Sequence, residues 1–452
     1  MSTFGGTLVE YERISIDRFD GINVNSTAFF LSHCHRDHMH GLSSKALRSR
    51  FRSRCDLKLY ASELSCQLLL NEDKYSWLRR YMSALPLETP QTVTVPTDGG
   101  SGYSYDVVVT AIPANHCAGS VMFLFEGKRG TVLYTGDFRF AVGHASTVLP
   151  FHDGPDGKVK SIRAAYVDTT LCHPDAAYVP SREDSEEALI SFFEPKLQSG
   201  ISLRLNLPGA KLGYETLFES LSRAFGVKVH VSRGQMSRYE GVEDVAEFLT
   251  TDPSGTPIHA NCLCPLRSKC VIVKPSAMWF AHRVGPTRLI ERVSGDFYRL
   301  CYSTHASLEE VRDLVRYLKP RSVRANVRVP GLDVSYLWVT QPRLKKRKKR
   351  RGRMNPCGTL VGVRAKKLRM VVVVTEWVWK QRERPTEVSE TSVVVTENES
   401  DDAVVEVKNR HFYRYTNEVT ESPATNCTAT GALSGSGVQD IGRLVTVMQA
   451  LF

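Results

Sequence analysis

The chain has 452 residues, 42% hydrophobic and 24% charged, which suits about two to four domains of roughly 100–200 residues with buried cores. It has no run of ~18 apolar residues and an acidic beginning without an apolar h-region, so neither a membrane span nor a secretory signal is expected, and the 11 scattered cysteines read as reduced thiols or metal ligands. The formal net charge of +11 is local: residues 343–353 (RLKKRKKRRGR) hold nine Lys or Arg and no acid, and without them 50 basic residues face 48 acidic ones. Such a run is a solvated tail by default, and beyond that a nuclear-import or nucleic-acid contact.

In chain order, short β-branched runs predict strands over 27–32, 107–112, 120–125, 131–134, 164–167, 201–205, 227–231, 270–273 and 298–303. Gly127 to Gly130 joins two of them as a hairpin loop. Amphipathic periodicity predicts helices over 182–193, 214–225, 242–249 and 308–318, two of them capped, by Ser181 with Asp184 and by Ser307 with Glu310. Strands mixed with helices argue an α/β layered architecture. Beyond about residue 340 the basic run, a Val/Thr/Glu/Ser-rich stretch (386–402) and a small-residue tract (424–437) predict a tail without a packed domain.

The densest chemistry is His33-Cys34-His35-Arg36-Asp37-His38, directly after an apolar strand and before Gly41. These side chains cannot share one face of a strand or a helix. A loop at a strand end lets them converge on one or two cations, and imidazole with carboxylate suits zinc and similar metals. Other strand ends present matching groups: Asp17 after the Ile14/Ile16 alternation, His116 after 107–112, Asp137 after 131–134, and Asp168 after 164–167. A lone loop His or Asp is ordinarily only polar decoration; five strand ends between Asp17 and Asp168 form a pattern.

That pattern resembles the metallo-β-lactamase fold, with its His-x-His-x-Asp-His signature, a later His and a bridging Asp. Asp168-Thr169-Thr170, the KPSAMWF run from Lys274 to Phe280, and Tyr302-Ser303-Thr304-His305 extend the similarity to β-CASP nucleases of the DNA-repair type, over about residues 1–335. The resemblance implies a four-layer αββα sandwich with an inserted β-CASP α/β domain: residues 1–172 and 301–340 as the metallo-β-lactamase domain, 173–300 as the insertion, and 341–452 as a disordered tail. It also implies that His33, His35 and His116 hold a first metal, that Asp137 bridges to a second, and that Asp37 and His38 hold the second. Asp17 and Asp168 would orient imidazoles, and His305, beside a helix N-terminus, would protonate a leaving oxygen or touch the scissile phosphate. The implied metals are Zn2+, one or two catalytic, with Mg2+ or Mn2+ as the other candidates for the second site.

The implied activity is a nuclear phosphodiester hydrolase working on DNA ends in end joining, opening hairpins and overhangs and trimming 5′ to 3′. The implied partners are DNA ends, the DNA-dependent protein kinase catalytic subunit and the end-joining ligase complex. RNA-cleaving members carry a further His where Asn326-Val327-Arg328 stands, so an RNA-processing endonuclease is the alternative within the superfamily, and a nuclease-inactive DNA-end scaffold the alternative outside it. Thr304 and Ala306 depart from the usual Glu and Ser. Lys274 and Ser276 are candidate phosphate contacts, and Trp279 either packs or stacks on a base. In the insertion, His230, His259, Cys270 and Cys262, with Cys264 as alternate, are candidates for a structural His2Cys2 zinc, although Asn261 stands where the family has the Cys of a His-x-Cys pair.

Overall fold

The computed structural model describes residues 2–97, 103–154, 157–207, 212–261, 269–281, 289–328 and 337, and the backbone of four strands nearer the C-terminus. It divides into two units, Met1–Lys346 and Arg347–Phe452.

In the first unit, β1 (Ile14–Ile16), β2 (Ala28–Phe30), β3 (Lys58–Ser62) and β4 (Met82–Leu85) form a parallel sheet in that order. Its crossovers carry α1 (Lys45–Ser53) and α2 (Glu63–Leu70), started by the side chains of Ser44 and Ser62. The second sheet uses β5 (Gln91–Pro96), β6 (Ser104–Pro113), β7 (Val121–Glu126), β8 (Thr131–Tyr134) and, after the small hairpin β9 (His152–Asp153) and β10 (Lys158–Val159), β11 (Ile162–Val167). Its far edge is added much later in the chain, beyond an inserted segment.

That insertion holds a mostly parallel sheet built from β12 (Ser202–Leu205), β13 (Val229–His230), β14 (Leu249–Thr250), β15 (Ile258–Ala260), β16 (Cys270–Pro275), β17 (Ile290–Ser294) and β18 (Phe297–Leu300). Its spatial order is β14-β13-β15-β12-β16-β18-β17. Its helices are α3 (Arg182–Gln198), α4 (Glu215–Phe225) and the short α5 (Arg233–Met236), α6 (Glu243–Ala246) and α7 (Ala277–Phe280). The chain then returns through α8 (Leu308–Leu318) to β19 (Val323–Ala325), which pairs with β11 and completes the order β19-β11-β8-β7-β6-β5.

The cores show the layering. Ile14, Ile16, Ala28 and Phe30 from the first sheet pack with Val107, Val109, Phe123, Phe125 and Val132 from the second. Behind the second sheet, Met122, Leu124, Leu133 and Val167 pack on Val311, Leu314, Val315 and Leu318 of α8. Behind the first, Phe29, Leu31 and Leu59 pack on Leu47 and Phe51 of α1 and Leu68 of α2. This is the αββα sandwich, and β7 reads VMFLFE because both its faces are covered. The third core does not stop at α1 and α2. It runs on into Leu203, Leu205, Leu217, Leu221 and Val271 of the insertion.

The two chain crossings between sandwich and insertion meet at Arg139. Its buried guanidinium donates to the carbonyls of Val179 (3.2 Å) and Pro180 (2.5 Å) on one crossing and of Ser303 (2.7 Å) on the other. Both expected caps form, as capping boxes at α3 and α8.

Several boundaries differ from the sequence reading. α3 continues past residue 193 to Gln198, through Pro195, because a proline in the last turn forfeits only one helical N–H bond. The helix expected over 242–249 is only α6, since Leu249 pairs as strand β14 beside β13. The 227–231 strand shortens to two residues and the 298–303 strand stops at Leu300. In the second unit, where no packed domain is expected, β20 (Val372–Val374), β21 (Glu387–Glu397), β22 (Ala403–Tyr415) and β23 (Glu418–Glu421) pair antiparallel in that order. Their Val and Thr content favours extended backbone. The basic run 343–353 lies outside the described residues.

Candidate metal centre

The sandwich brings its strand-end groups together. Residues 33–38 follow β2, Asp17 follows β1, His116 follows β6, Asp137 follows β8 and Asp168 follows β11. Gly136 makes the approach of Asp137 feasible: its φ is +54°, and a Cβ there would lie 2.7 Å from Ser32 Oγ. One donor atom each from His33, His35, His116 and Asp137 lie within 4.8 Å of one another. Two further triads meet the same criterion, Asp137 with Asp168 and His305, and Asp17 with His33 and His38.

Hydrogen bonds fix which ring nitrogen of each imidazole carries the proton. Ser32 Oγ donates to Asp17 Oδ2 (2.5 Å) and therefore accepts from His33 Nδ1 (2.9 Å), leaving Nε2 with its lone pair. The carbonyl of Thr304 accepts from His116 Nδ1 (2.8 Å), which leaves Nε2. The carbonyl of Leu212 accepts from His35 Nε2 (3.0 Å), which leaves Nδ1. Asp17 Oδ2 accepts from His38 Nδ1 (2.8 Å), which leaves Nε2. The freed nitrogens face one another: His35 Nδ1 lies 3.1 Å from His33 Nε2 and 3.0 Å from His116 Nε2. His38 Nε2 is buried without a hydrogen bond, 3.3 Å from Asp137 Oδ1. Lone pairs aimed at one another are repulsive unless a cation lies among them, and each outer partner is of the kind that orients a metal-bound imidazole. The donor set therefore fits a borderline divalent ion such as zinc.

The electrostatics separate the rings. Burial, reinforced by the neighbouring imidazoles, holds His33 and His116 well below the usual histidine value, and burial also lowers His35. Neutral imidazole is the form that ligates metal. His38 behaves oppositely: burial would lower it, but Asp137 and Asp17 outweigh burial and raise it, so a cation binding at Nε2 would have to displace a proton there. Asp137 is held well below the carboxylate range despite its burial, by His38 and His305. Asp37 is lowered too, because His38 and the backbone N–H of Ser2 (2.9 Å) outweigh burial. His305 Nδ1 sits 2.8 Å from Asp168 Oδ2; burial opposes its protonation, but Asp168 and Asp137 raise it to about 9.

The expected phosphate site at the start of α8 is partly used by the protein itself, since Glu310 accepts the Ser307 N–H at 2.6 Å. Val327 offers no imidazole; its N–H and carbonyl are both bonded to Thr169 Oγ1. In the insertion, His230 and His259 face each other with their Nδ1 atoms 3.2 Å apart. Cys270 opens β16, two strands from β15, about 10 Å at ordinary sheet spacing, and is not brought to that pair. Cys262 and Cys264 lie outside the described residues. Lys274 pairs in register with Arg299. Arg299 also donates to Ser276 Oγ (2.7 Å) and lies 5.8 Å over the half-buried Trp279 ring. Ser32 and Tyr134, whose hydroxyl donates to Asp17 at 2.8 Å, are absent from the sequence-derived site. Their signal was position, Tyr134 as the last residue of β8 and Ser32 two residues past β2, each beside a candidate ligand loop. The Leu212 and Thr304 carbonyls carry no side-chain signal at all.

Among known proteins, the chain is 40% identical to protein artemis of Gallus gallus over 384 residues, 80% of this chain and 53% of that one. It is 39% identical to protein artemis of Homo sapiens over 348 residues, 72% and 49% of the two chains. It is 32% identical to the 5′ exonuclease Apollo of Gallus gallus over 321 residues, 70% and 61%. The chain thus spans about half the length of the artemis proteins it matches. Residues 13–152 match the family model of the anti-Pycsar protein Apyc1, and residues 246–331 match that of the DNA repair metallo-beta-lactamase. With a sandwich that gathers these imidazoles and carboxylates at one end, and with such relatives, the chain belongs to the DNA repair metallo-β-lactamase family.

Proposed function

We propose that the protein is a metal-dependent nuclease acting on DNA ends in double-strand break repair by end joining, with endonuclease action on hairpins and overhangs and 5′-to-3′ exonuclease action. The observation that carries this is the convergence of imidazole lone pairs on Asp137, each ring oriented by a second group behind it. His33, His35, His116 and Asp137 would hold one zinc; Asp137, Asp37 and His38 would hold a second zinc, Mg2+ or Mn2+. Bound there, the cations polarise the phosphodiester and lower the pKa of water. Asp17 keeps His38 Nδ1 protonated and its Nε2 directed inward. Asp168 holds His305 Nδ1, which leaves Nε2 as the atom that passes a proton to the leaving oxygen.

Lys274, Ser276 and Trp279 are the proposed DNA contacts in the insertion. His230 and His259 are proposed as the imidazoles of a structural zinc, with sulfur from Cys262 or Cys264. Nuclear location, action with the DNA-dependent protein kinase catalytic subunit and with the end-joining ligase complex belong to the same proposal, in keeping with the basic run at 343–353.

The test is a cleavage assay on hairpin, overhang and single-stranded DNA beside matched RNA, with the parent and Asp137→Asn. The parent should cut DNA ends, and the variant should lose cleavage while still binding DNA and melting within a few degrees of the parent. Cleavage of RNA alone, or near-parental turnover by Asp137→Asn, overturns the proposal.

A further inference from the structure

Three of the four convergent imidazoles take their orienting partner from the sandwich: Ser32 for His33, Asp17 for His38, and Thr304 for His116. His35 takes its partner from the insertion. The carbonyl of Leu212 that accepts its Nε2–H lies 177 residues further along the chain, in the turn before α4. Leu212 is buried in the core shared by sandwich and insertion. Gly213, at φ +107°, sits against two other ligand loops: a Cβ there would lie 3.5 Å from Thr304 Cγ2 and 3.6 Å from Cys117 Cβ.

The turn is braced from behind. Both carboxylate oxygens of Glu215 accept the Gly213 N–H, at 3.0 and 2.8 Å. The hydroxyl of Tyr239, a fully buried side chain, donates to Glu215 Oε1 at 2.8 Å. Peptide planarity then links the fixed Gly213 N–H to the direction of the Leu212 carbonyl, because both belong to one rigid unit.

We propose that Glu215, braced by Tyr239, is a positioning residue for the metal centre: through the Leu212–Gly213 peptide it holds His35 as the Nε2–H tautomer with Nδ1 turned toward the metal. The insertion thus completes the centre as well as covering it. This rests on the reading of His33, His35 and His116 as zinc ligands, and it assigns a role to a residue that touches neither metal nor substrate.

The experiment is competition for zinc between the full chain and a chromophoric chelator, for the parent, His35→Ala, Glu215→Ala, Glu215→Gln and Tyr239→Phe. The zinc lost in His35→Ala defines the population to follow. Removal of such an outer partner typically weakens metal affinity by 10–100-fold, so Glu215→Ala and Tyr239→Phe should each weaken that population by roughly tenfold or more. Glu215→Gln keeps an acceptor oxygen for the Gly213 N–H and should stay within about twofold of the parent. Tyr239→Phe keeps the buried ring and decides the matter if Glu215→Ala does not fold. Parental zinc retention in Tyr239→Phe and in any folded Glu215→Ala, alongside loss in His35→Ala, overturns the relay and leaves the metal site standing. Equal weakening by Gln and Ala overturns it as well. Full zinc retention by His35→Ala overturns the metal reading, and the relay with it.

Discussion

Ser32 Oγ is a single atom between two roles, donating to Asp17 and accepting from His33. Ser32→Ala leaves the His33 ring unanchored while removing one oxygen from a buried site, so zinc affinity should fall by about 10–100-fold with little change in melting temperature. Chelator competition beside a thermal melt checks this; a large melting shift with unchanged affinity would contradict it. Val327, whose backbone is tied to Thr169 beside Asp168, fills the position at which the resemblance to RNA-cleaving members implies a further His. Val327→His should tighten the weaker of two metals in a calorimetric titration, and two equally tight metals in the parent would count against an incomplete second site. At this scale the candidate ligands were legible because ligation is a side-chain property: HCHRDH, His116 and Asp137 stand out by residue type at strand ends, and the fold brings His33, His35, His116 and Asp137 together. Of the groups that orient imidazoles, the carboxylates Asp17 and Asp168 were legible in the same way, but two others are main-chain carbonyls, of Leu212 and Thr304, and every residue has one.

Among the elements, α3 and α4 meet over a buried carboxylate. Glu186 accepts from Ser220 Oγ (2.6 Å) and Tyr302 Oη (3.3 Å), and burial raises its pKa above the ordinary value despite these hydrogen bonds. The folded chain therefore takes up this proton more readily than the unfolded one. The stability it contributes is complete below the ordinary carboxyl pKa and is lost as pH rises through the raised one. Glu186→Gln carries no such loss, so its melting temperature relative to the parent should become more favourable between pH 4 and pH 7. Thermal melts across a buffer series check this, and a flat difference would rule it out. Long elements with strong periodicity, such as α3 and α8, were legible with their caps. α1 was missed because KALRSRFRS buries only Leu47 and Phe51, two residues four apart under a basic surface. β4 is four residues long and takes its identity from the parallel neighbour that pairs with it, whereas β1, three residues long, showed itself in the Ile14/Ile16 alternation.

For the first unit as a whole, the core behind the first sheet is continuous with the core of the insertion. Polar ties cross the same boundary: Asn71 Nδ2 donates to the carbonyls of Arg238 and Glu240, and Arg238 pairs with Glu72 at 2.8 Å. Two lobes that share buried side chains lose them together, so residues 1–346 should unfold in one calorimetric transition, and deleting 173–300 should leave a sandwich that does not fold. Two well-separated transitions would show the lobes to be independent. That an insertion exists was legible from motifs on either side of it; that it shares its core was not, because hydrophobic residues in a sequence do not name their partners.

Arg139 gives this arrangement a mechanical character. It grips both chain crossings at one buried point. Points near a pin move little, whatever turns about it. Any rotation of the insertion against the sandwich should then be smallest near Arg139 and largest toward the outer strands of the insertion. In such a rotation the loop that carries Ser303 and Thr304 would shift least, and the His116 ring bonded to Thr304 would keep its aim.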